Sequence, residues 1–228
     1  MNDAEIVIVG IAGGTASGKT TIARRVLGAL GEDTCLLITH DRYYLDVENP
    51  RVFNYDHPDS LETTLLVEHL WKLRAGEDAE LPDYDYATHT RKAQGVQTPS
   101  RATILVEGIL ALQDPALREL YDLMVYVETP DDLRLARRIR RDCAERGRDV
   151  EEVLTRWLST VRPMHMRFVA PSRTFADLEL TGTGLLEPLV DSLLSAIDQR
   201  RRELEDEDDP VTLEEVDLVV VEETTEEI

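Results

Sequence analysis

The chain opens on Ile6 to Ile11 (IVIVGI), a continuous apolar run rich in β-branched residues, as expected of a parallel strand buried on both faces. A glycine-rich stretch follows, and the pattern turns helical from Thr20 to Leu30, ending near Gly31. Leu36 to Thr39 predicts a second buried strand. Asp59-Ser60 marks a helix start, with Leu61, Leu65, Leu66, Leu70 and Leu73 on one face as far as Arg74 and Gly76 as the stop. The segment from Leu81 to Thr98 is polar and aromatic without a steady period, and reads as a loop or short hairpin. Thr103 to Val106 and Met124 to Val127 predict two further buried strands. From Pro130 to Cys143 the pattern is helical, with Leu133, Ala136 and Ile139 expected inward and the arginines outward. A helix from Val150 to Val161, a last strand from Asp177 to Leu180 and an amphipathic helix from Leu185 to Leu204 follow. Strands alternating with helices predict a right-handed, mostly parallel α/β sandwich of about five strands.

After Leu204 the periodicity stops, so 1–204 is expected to be one domain and 205–228 an acidic tail, disordered or docking, with Leu218 to Val221 as its one apolar run. At 228 residues there is room for one covered sheet and little more. The formal charge is −21, of which −13 falls in 203–228, leaving −8 on the rest. That balance makes the chain a poor candidate for non-specific duplex binding, which needs an excess of cations. Basic residues still cluster between Arg134 and Arg148, where a small phosphorylated ligand fits. Lysine occurs only at Lys19, Lys72 and Lys92; a high-salt cytoplasm and GC-rich coding explain the arginine bias equally well. Cys35 and Cys143 read as reduced thiols of a cytosolic protein. No apolar run approaches the roughly 20 residues of a membrane span, and Met1 to Glu5 lack the basic-then-apolar pattern of a secretion signal. A cytoplasmic protein without membrane or nucleic-acid partners is expected.

The sharpest chemical signal is Gly13-Gly14-Thr15-Ala16-Ser17-Gly18-Lys19-Thr20, which fits G-x-x-x-x-G-K-[ST] between a strand and a helix. Glycines let backbone N–H groups turn in on phosphate oxygens, Lys19 can reach the β- and γ-phosphates, and the Thr20 hydroxyl can ligate Mg²⁺; Thr21 extends the set. Asp41, in Thr39-His40-Asp41-Arg42-Tyr43-Tyr44, follows the second strand, where ligands of an open parallel sheet sit. There it is a turn or cap residue, a proton acceptor for an attacking hydroxyl, or the holder of a magnesium-bound water. Glu107, ending the third strand, is a candidate for the magnesium shell or a solvated strand-end carboxylate. Arg137 to Arg141 with Arg146 and Arg148 form either a phosphate-facing lid or a solvated cationic face.

Several segments in one order, GGTASGKTT, HDRYY, NYDHPDS (54–60), LPDYDYATHTR (81–91), VEGILAL (106–112), RRIRRDCAERGRD (137–149) and VRPMHMRFVAPSRTFAD (161–177), together resemble the uridine-cytidine kinases over residues 6–197. The resemblance implies a P-loop NTPase three-layer α/β/α sandwich with a nucleoside-binding insertion and an arginine-rich lid. It implies transfer of the γ-phosphoryl of ATP or GTP to the 5′-hydroxyl of uridine or cytidine, the chemistry of pyrimidine salvage, by a homo-oligomer, typically a tetramer. It also implies that Asp41 is the general base and that Asp56 binds the ribose hydroxyls. Tyr84 and His89 would contact the pyrimidine with Tyr86 and Tyr44 beside them. Arg138, Arg141, Arg146 and Arg148 would gather around the phosphates and reacting hydroxyl, and Thr20, Asp41 and Glu107 would form the magnesium site. The sequence departs from the family at Arg156, where glutamine is usual, at Trp157, where tyrosine is common, and at Arg42, where a small serine is frequent. Rival readings are a phosphoribulokinase-like or pantothenate kinase-like enzyme and a non-catalytic nucleotide switch; the acceptor segment's neutral and aromatic residues speak against a phosphorylated acceptor.

Overall fold

The computed structural model describes residues 5–47, 49, 53–85, 88 and 90–208. Tyr86, His89 and the tail beyond Asp208, including the run from Leu218 to Val221, lie outside the described residues. In chain order the elements are β1 (Val7–Gly13), α1 (Lys19–Leu30), β2 (Cys35–Thr39), α2 (Thr63–Arg74), β3 (Ala79–Leu81), β4 (Tyr84–Asp85), β5 (Thr90–Arg91) and β6 (Val96–Thr98). There follow β7 (Thr103–Glu107), α3 (Pro115–Arg118), β8 (Leu123–Glu128), α4 (Asp131–Arg146), α5 (Val150–Arg156), α6 (Arg162–Met164), β9 (Leu178–Thr181) and α7 (Leu186–Asp208).

The main sheet has five strands in the order β2-β7-β1-β8-β9, every pairing parallel. Because side chains alternate along each strand, the sheet feeds two separate cores. Ile8, Ala12, Ile38, Ile104 and Val106 pack toward Leu66, Leu70 and Leu73 of α2 and Leu117 of α3. Val7, Val9, Ile11, Leu105, Val125 and Val127 pack toward Ile22, Ala23 and Val26 of α1 and Val190, Leu193 and Ile197 of α7. This is the expected three-layer α/β/α sandwich. Its central strands read as unbroken apolar runs because both faces are covered. The register sets Thr39 and Ile11 on either side of Glu107, so β1, β2 and β7 end together at one edge of the sheet.

Three expectations change, and the short-hairpin reading of 81–98 is refined. The turn at Asp59-Ser60 is a separate 3₁₀ segment, Pro58–Ser60, and α2 starts only at Thr63. The His57 imidazole caps the short turn by accepting from the Asp59 N–H, and Leu61 leaves the helical path to bridge Tyr44. The helix expected to end at Val161 continues instead through wider π-type turns and α6 to Val169. Pro163 lies in this stretch and cannot donate to the preceding turn, which favours such widening. The loop from Leu81 to Thr98 holds two small antiparallel pairings, β3 with β6 and β4 with β5. The largest correction concerns α4. Leu133 is 40% exposed and Ala136 exposed, whereas Arg134, Arg138 and Asp142 are its buried residues. Hydropathy assigns arginines to water, but here the phosphate loop and a buried carboxylate draw them inward.

Candidate active site

The loop between β1 and α1 brings backbone amides, a lysine and a hydroxyl to the end of the sheet. Gly18, the cap of α1, has φ +106°, a conformation that side-chain-bearing residues avoid. No side chain caps α1, so its first N–H groups and positive dipole end face the loop interior, the arrangement that binds phosphate. Ala16 also sits at positive φ, +60°, a strained position in the middle of the loop. Lys19 is buried with its Nζ 4.0 Å from Glu107, and the Thr20 hydroxyl donates to the same Glu107 oxygen at 3.0 Å. Thr21, the next residue, is exposed in the first turn of α1.

Helix α4 closes over the loop with arginines. Arg134 is 1% exposed; it donates to the Thr129 carbonyl, pairs with Asp131 and lies 5.2 Å over the Trp157 ring. It also rests on Gly14, where an added Cβ would come 2.3 Å from Nη1, so a side chain there would displace the guanidinium. Arg138 donates to the Thr15 hydroxyl at 3.0 Å, and Arg137 to the carbonyls of Ser17 and Gly182. Behind them Asp142, fully buried, draws in Arg141 (2.9 Å), Arg148 (3.2 Å), Arg146 (3.5 Å) and Arg138 (3.6 Å). Burial alone would raise the Asp142 carboxyl, but Arg141, Arg138 and Arg146 together outweigh it and hold it below the usual range. One carboxylate among four guanidinium groups leaves the cluster with excess positive charge, suited to a polyphosphate.

Three carboxylates complete the site, Glu107 beside the loop and Asp41 and Asp56 next to it. Burial pushes Asp41 above the ordinary carboxylate range, against the pull of Lys19, Arg146, Arg141 and a hydrogen bond with Tyr44. Burial also raises Asp56, with Asp41 adding to the rise and Arg138, Arg156 and Lys19 opposing it. Glu107 is raised by burial and by Asp41. Lys19 acts on all three carboxylates, and arginines of α4 act on Asp41 and Asp56, so these groups share one electrostatic site around Lys19. An aromatic wall adjoins them. Tyr44 lies edge-on to Tyr55 at 5.1 Å and 5.7 Å from Tyr84, which is 5% exposed.

Of the predicted residues, Gly13 to Thr20, Asp41, Tyr44, Asp56, Tyr84, Glu107, Arg138, Arg141, Arg146 and Arg148 are thus brought to one cleft. Tyr86 and His89 lie outside the described residues. Sequence reasoning missed Arg134, Asp142 and Arg91. The first two share a helix face at four-residue spacing with Arg138, a signal hidden because polar residues were assigned to solvent.

Oxygen donors from Asp41, Glu107 and Thr20 fit a hard cation that keeps waters and takes its remaining ligands from phosphate. Among the described residues there is no group of three or more His, Cys, Asp and Glu that could hold a metal by itself. No helix among them is long and apolar enough to cross a membrane.

The chain is similar to known proteins. Uridine kinase of Chloroflexus aurantiacus is 46% identical over 197 residues, covering 84% of this chain and 94% of its own. Uridine kinase of Clostridium novyi is 41% identical over 198 residues, covering 85% and 95%. Phosphoribulokinase from Rhodobacter spheroides superposes with a TM-score of 0.59 at 14% identity, covering 78% of this chain and 71% of that one. D-glycerate 3-kinase from Cryptococcus neoformans gives 0.54 at 16% identity, with 72% and 79% covered. The two structures share the fold, the two sequence relatives nearly the whole chain. Residues 8–184, from the first strand to the turn before α7, match the Phosphoribulokinase / Uridine kinase family, and the chain belongs to it.

Proposed function

We propose that this protein transfers the γ-phosphoryl group of ATP, or of GTP, to the 5′-hydroxyl of uridine or cytidine, giving UMP or CMP. The observation that carries this reading is the pairing of a cationic phosphate loop with a carboxylate, Asp41, hydrogen-bonded by Tyr44 beside a tyrosine-lined wall. A nucleoside wants a carboxylate for its paired ribose hydroxyls, the role we assign to Asp56, and flat aromatic faces for its base, which Tyr84 and Tyr44 supply with Tyr86 and His89.

In this reading the N–H groups from Gly13 to Thr21 and the Lys19 ammonium cradle the donor phosphates. Arg138, Arg141, Arg146 and Arg148 neutralise charge on the transferred group and shield it from water, a competing acceptor. Asp41 orients the 5′-hydroxyl in line with the γ-phosphorus and takes its proton as the new P–O bond forms and the bond to the departing diphosphate breaks. Thr20, Asp41 and Glu107 would hold Mg²⁺, which when bound draws charge from the phosphate oxygens. We carry 1–204 as the catalytic domain, with the tail outside the chemistry. We also carry a homo-oligomeric, tetrameric assembly, which light scattering tests.

Mass-spectrometric analysis of the product after incubation with ATP, Mg²⁺ and uridine tests the transfer. The expected species is UMP, with turnover lost in Asp41→Asn while ATP binding persists. ATP consumption without a phosphorylated nucleoside would replace this reading with a hydrolytic switch.

A further inference from the structure

The hairpin β4–β5 that carries Tyr84 is too small to hold its own position. Its strands are two residues each, Tyr84–Asp85 against Thr90–Arg91, and an isolated pair of such strands is marginal in water. The neighbouring turn with Asp41, by contrast, is anchored. Tyr43 is fully buried and its hydroxyl lies 3.0 Å from His69 of α2, while the Glu62 N–H donates to the Tyr43 carbonyl. Whatever fastens the hairpin to this turn therefore sets the distance between nucleoside base and proton acceptor.

Two arginines cross that junction in opposite directions. Arg42, from the turn, donates Nε to the Pro82 carbonyl at 2.7 Å, just before β4. Arg91, from β5, sends Nε to the Tyr44 carbonyl at 2.9 Å, Nη2 to the Tyr43 carbonyl at 2.7 Å and Nη1 to Glu62, while its own N–H donates to Asp46 at 2.8 Å. A guanidinium fork meets three acceptors in fixed directions; an ammonium group cannot reproduce that. Two of the carbonyls belong to residues within three positions of Asp41, and Tyr44 also hydrogen-bonds Asp41 through its side chain.

We propose that Arg42 and Arg91 form a reciprocal strap that makes the acceptor hairpin and the Asp41 turn one rigid unit, so that both act as positioning residues for phosphoryl transfer. The proposal rests on the nucleoside-kinase reading for its kinetic consequence but not for its structural one. It also gives Arg42, which the family resemblance left without a purpose, a definite partner.

The test uses the full chain as wild type, Arg91→Lys and Arg42→Ala, measuring steady-state constants for uridine and ATP together with hydrogen exchange. Arg91→Lys is expected to raise the uridine KM about tenfold and lower kcat about tenfold, with the ATP KM within about twofold of wild type. Arg42→Ala, which loses one bond, is expected to show the same pattern at about threefold. Exchange in segments 40–45 and 81–98 should rise together in both variants while the 13–21 segment stays protected. Unchanged uridine constants in both variants, or equal damage to uridine and ATP constants, would overturn the strap, since the latter reports general loosening. Should Arg91→Lys not fold, Arg42→Ala decides alone. If wild type phosphorylates no pyrimidine nucleoside, the substrate reading falls, and joint loss or independence of exchange in the two segments still decides the strap.

Discussion

The two walls of the cleft are built by different means. The donor wall is backbone and charge: a loop whose glycine conformations aim N–H groups inward, a helix start without a side-chain cap, and arginines gathered on one buried carboxylate. The acceptor wall is side-chain packing on short irregular pieces, namely a 3₁₀ turn at His40–Tyr43, another at Pro58–Ser60 and two-residue strands held by arginine-to-carbonyl bonds. The lesson is that a phosphate site tolerates many acceptors because its geometry is local to one strand–loop–helix unit. The acceptor site depends on contacts between residues far apart in the chain, such as Tyr44 with Tyr84 and Arg91 with Glu62. Family members can therefore share the first and differ in the second.

The comparison predicts that damage to each wall should separate donor from acceptor constants. The largest effect is expected for Asp41→Asn, a fall in kcat of about 10³-fold with ATP binding nearly unchanged, measured by coupled assay and calorimetry. A drop in ATP affinity as large as the drop in kcat would contradict its place on the acceptor side. Next comes Asp142→Asn on the donor side. Removing the fully buried counter-charge of four arginines should cost about 3 kcal/mol of stability in urea unfolding and weaken ATP more than uridine. Gly14→Ala follows at about 2 kcal/mol, because its methyl group would collide with the Arg134 guanidinium.

These residues also show how far the sequence could be read. The phosphate loop was legible because its chemistry is a backbone rule over eight consecutive positions. The sheet was legible because buried parallel strands are apolar on both faces. The inward arginines of α4 were not: Arg138 reaches Thr15, more than a hundred residues away, and Arg134 turns in on the Thr129 carbonyl, Asp131 and the Trp157 ring, partners that hydropathy cannot register. Asp56 and Tyr84 came only through family resemblance, since no local pattern links them to Asp41. Arg91 sat inside a quoted segment, yet nothing there distinguishes it from a solvated arginine until Tyr43, Tyr44 and Glu62 are seen around it.

The smallest effects concern protons. Because burial raises Asp41, its carboxyl in the metal-free, ligand-free protein should titrate above the ordinary aspartate range, as NMR would register, and kcat/KM for nucleoside should climb with pH to a plateau. The same sign governs stability. A carboxyl raised in the folded state binds protons more tightly there than when unfolded, so its contribution falls as pH rises through the folded value. Asp41→Asn should therefore raise the Tm of the ligand-free protein at neutral pH, as calorimetry would register. A fall would mean that the cations around Asp41 outweigh its burial.

The central claim is that the acceptor wall selects a pyrimidine nucleoside, and the most direct test is an acceptor panel with wild-type protein and ATP. We would compare kcat/KM for uridine, cytidine, adenosine, ribulose 5-phosphate and pantothenate, at low and high salt. The account predicts turnover of uridine or cytidine at least about 100-fold above every other acceptor. Preference for ribulose 5-phosphate or pantothenate, or no turnover of any nucleoside by folded, ATP-binding protein, would contradict it.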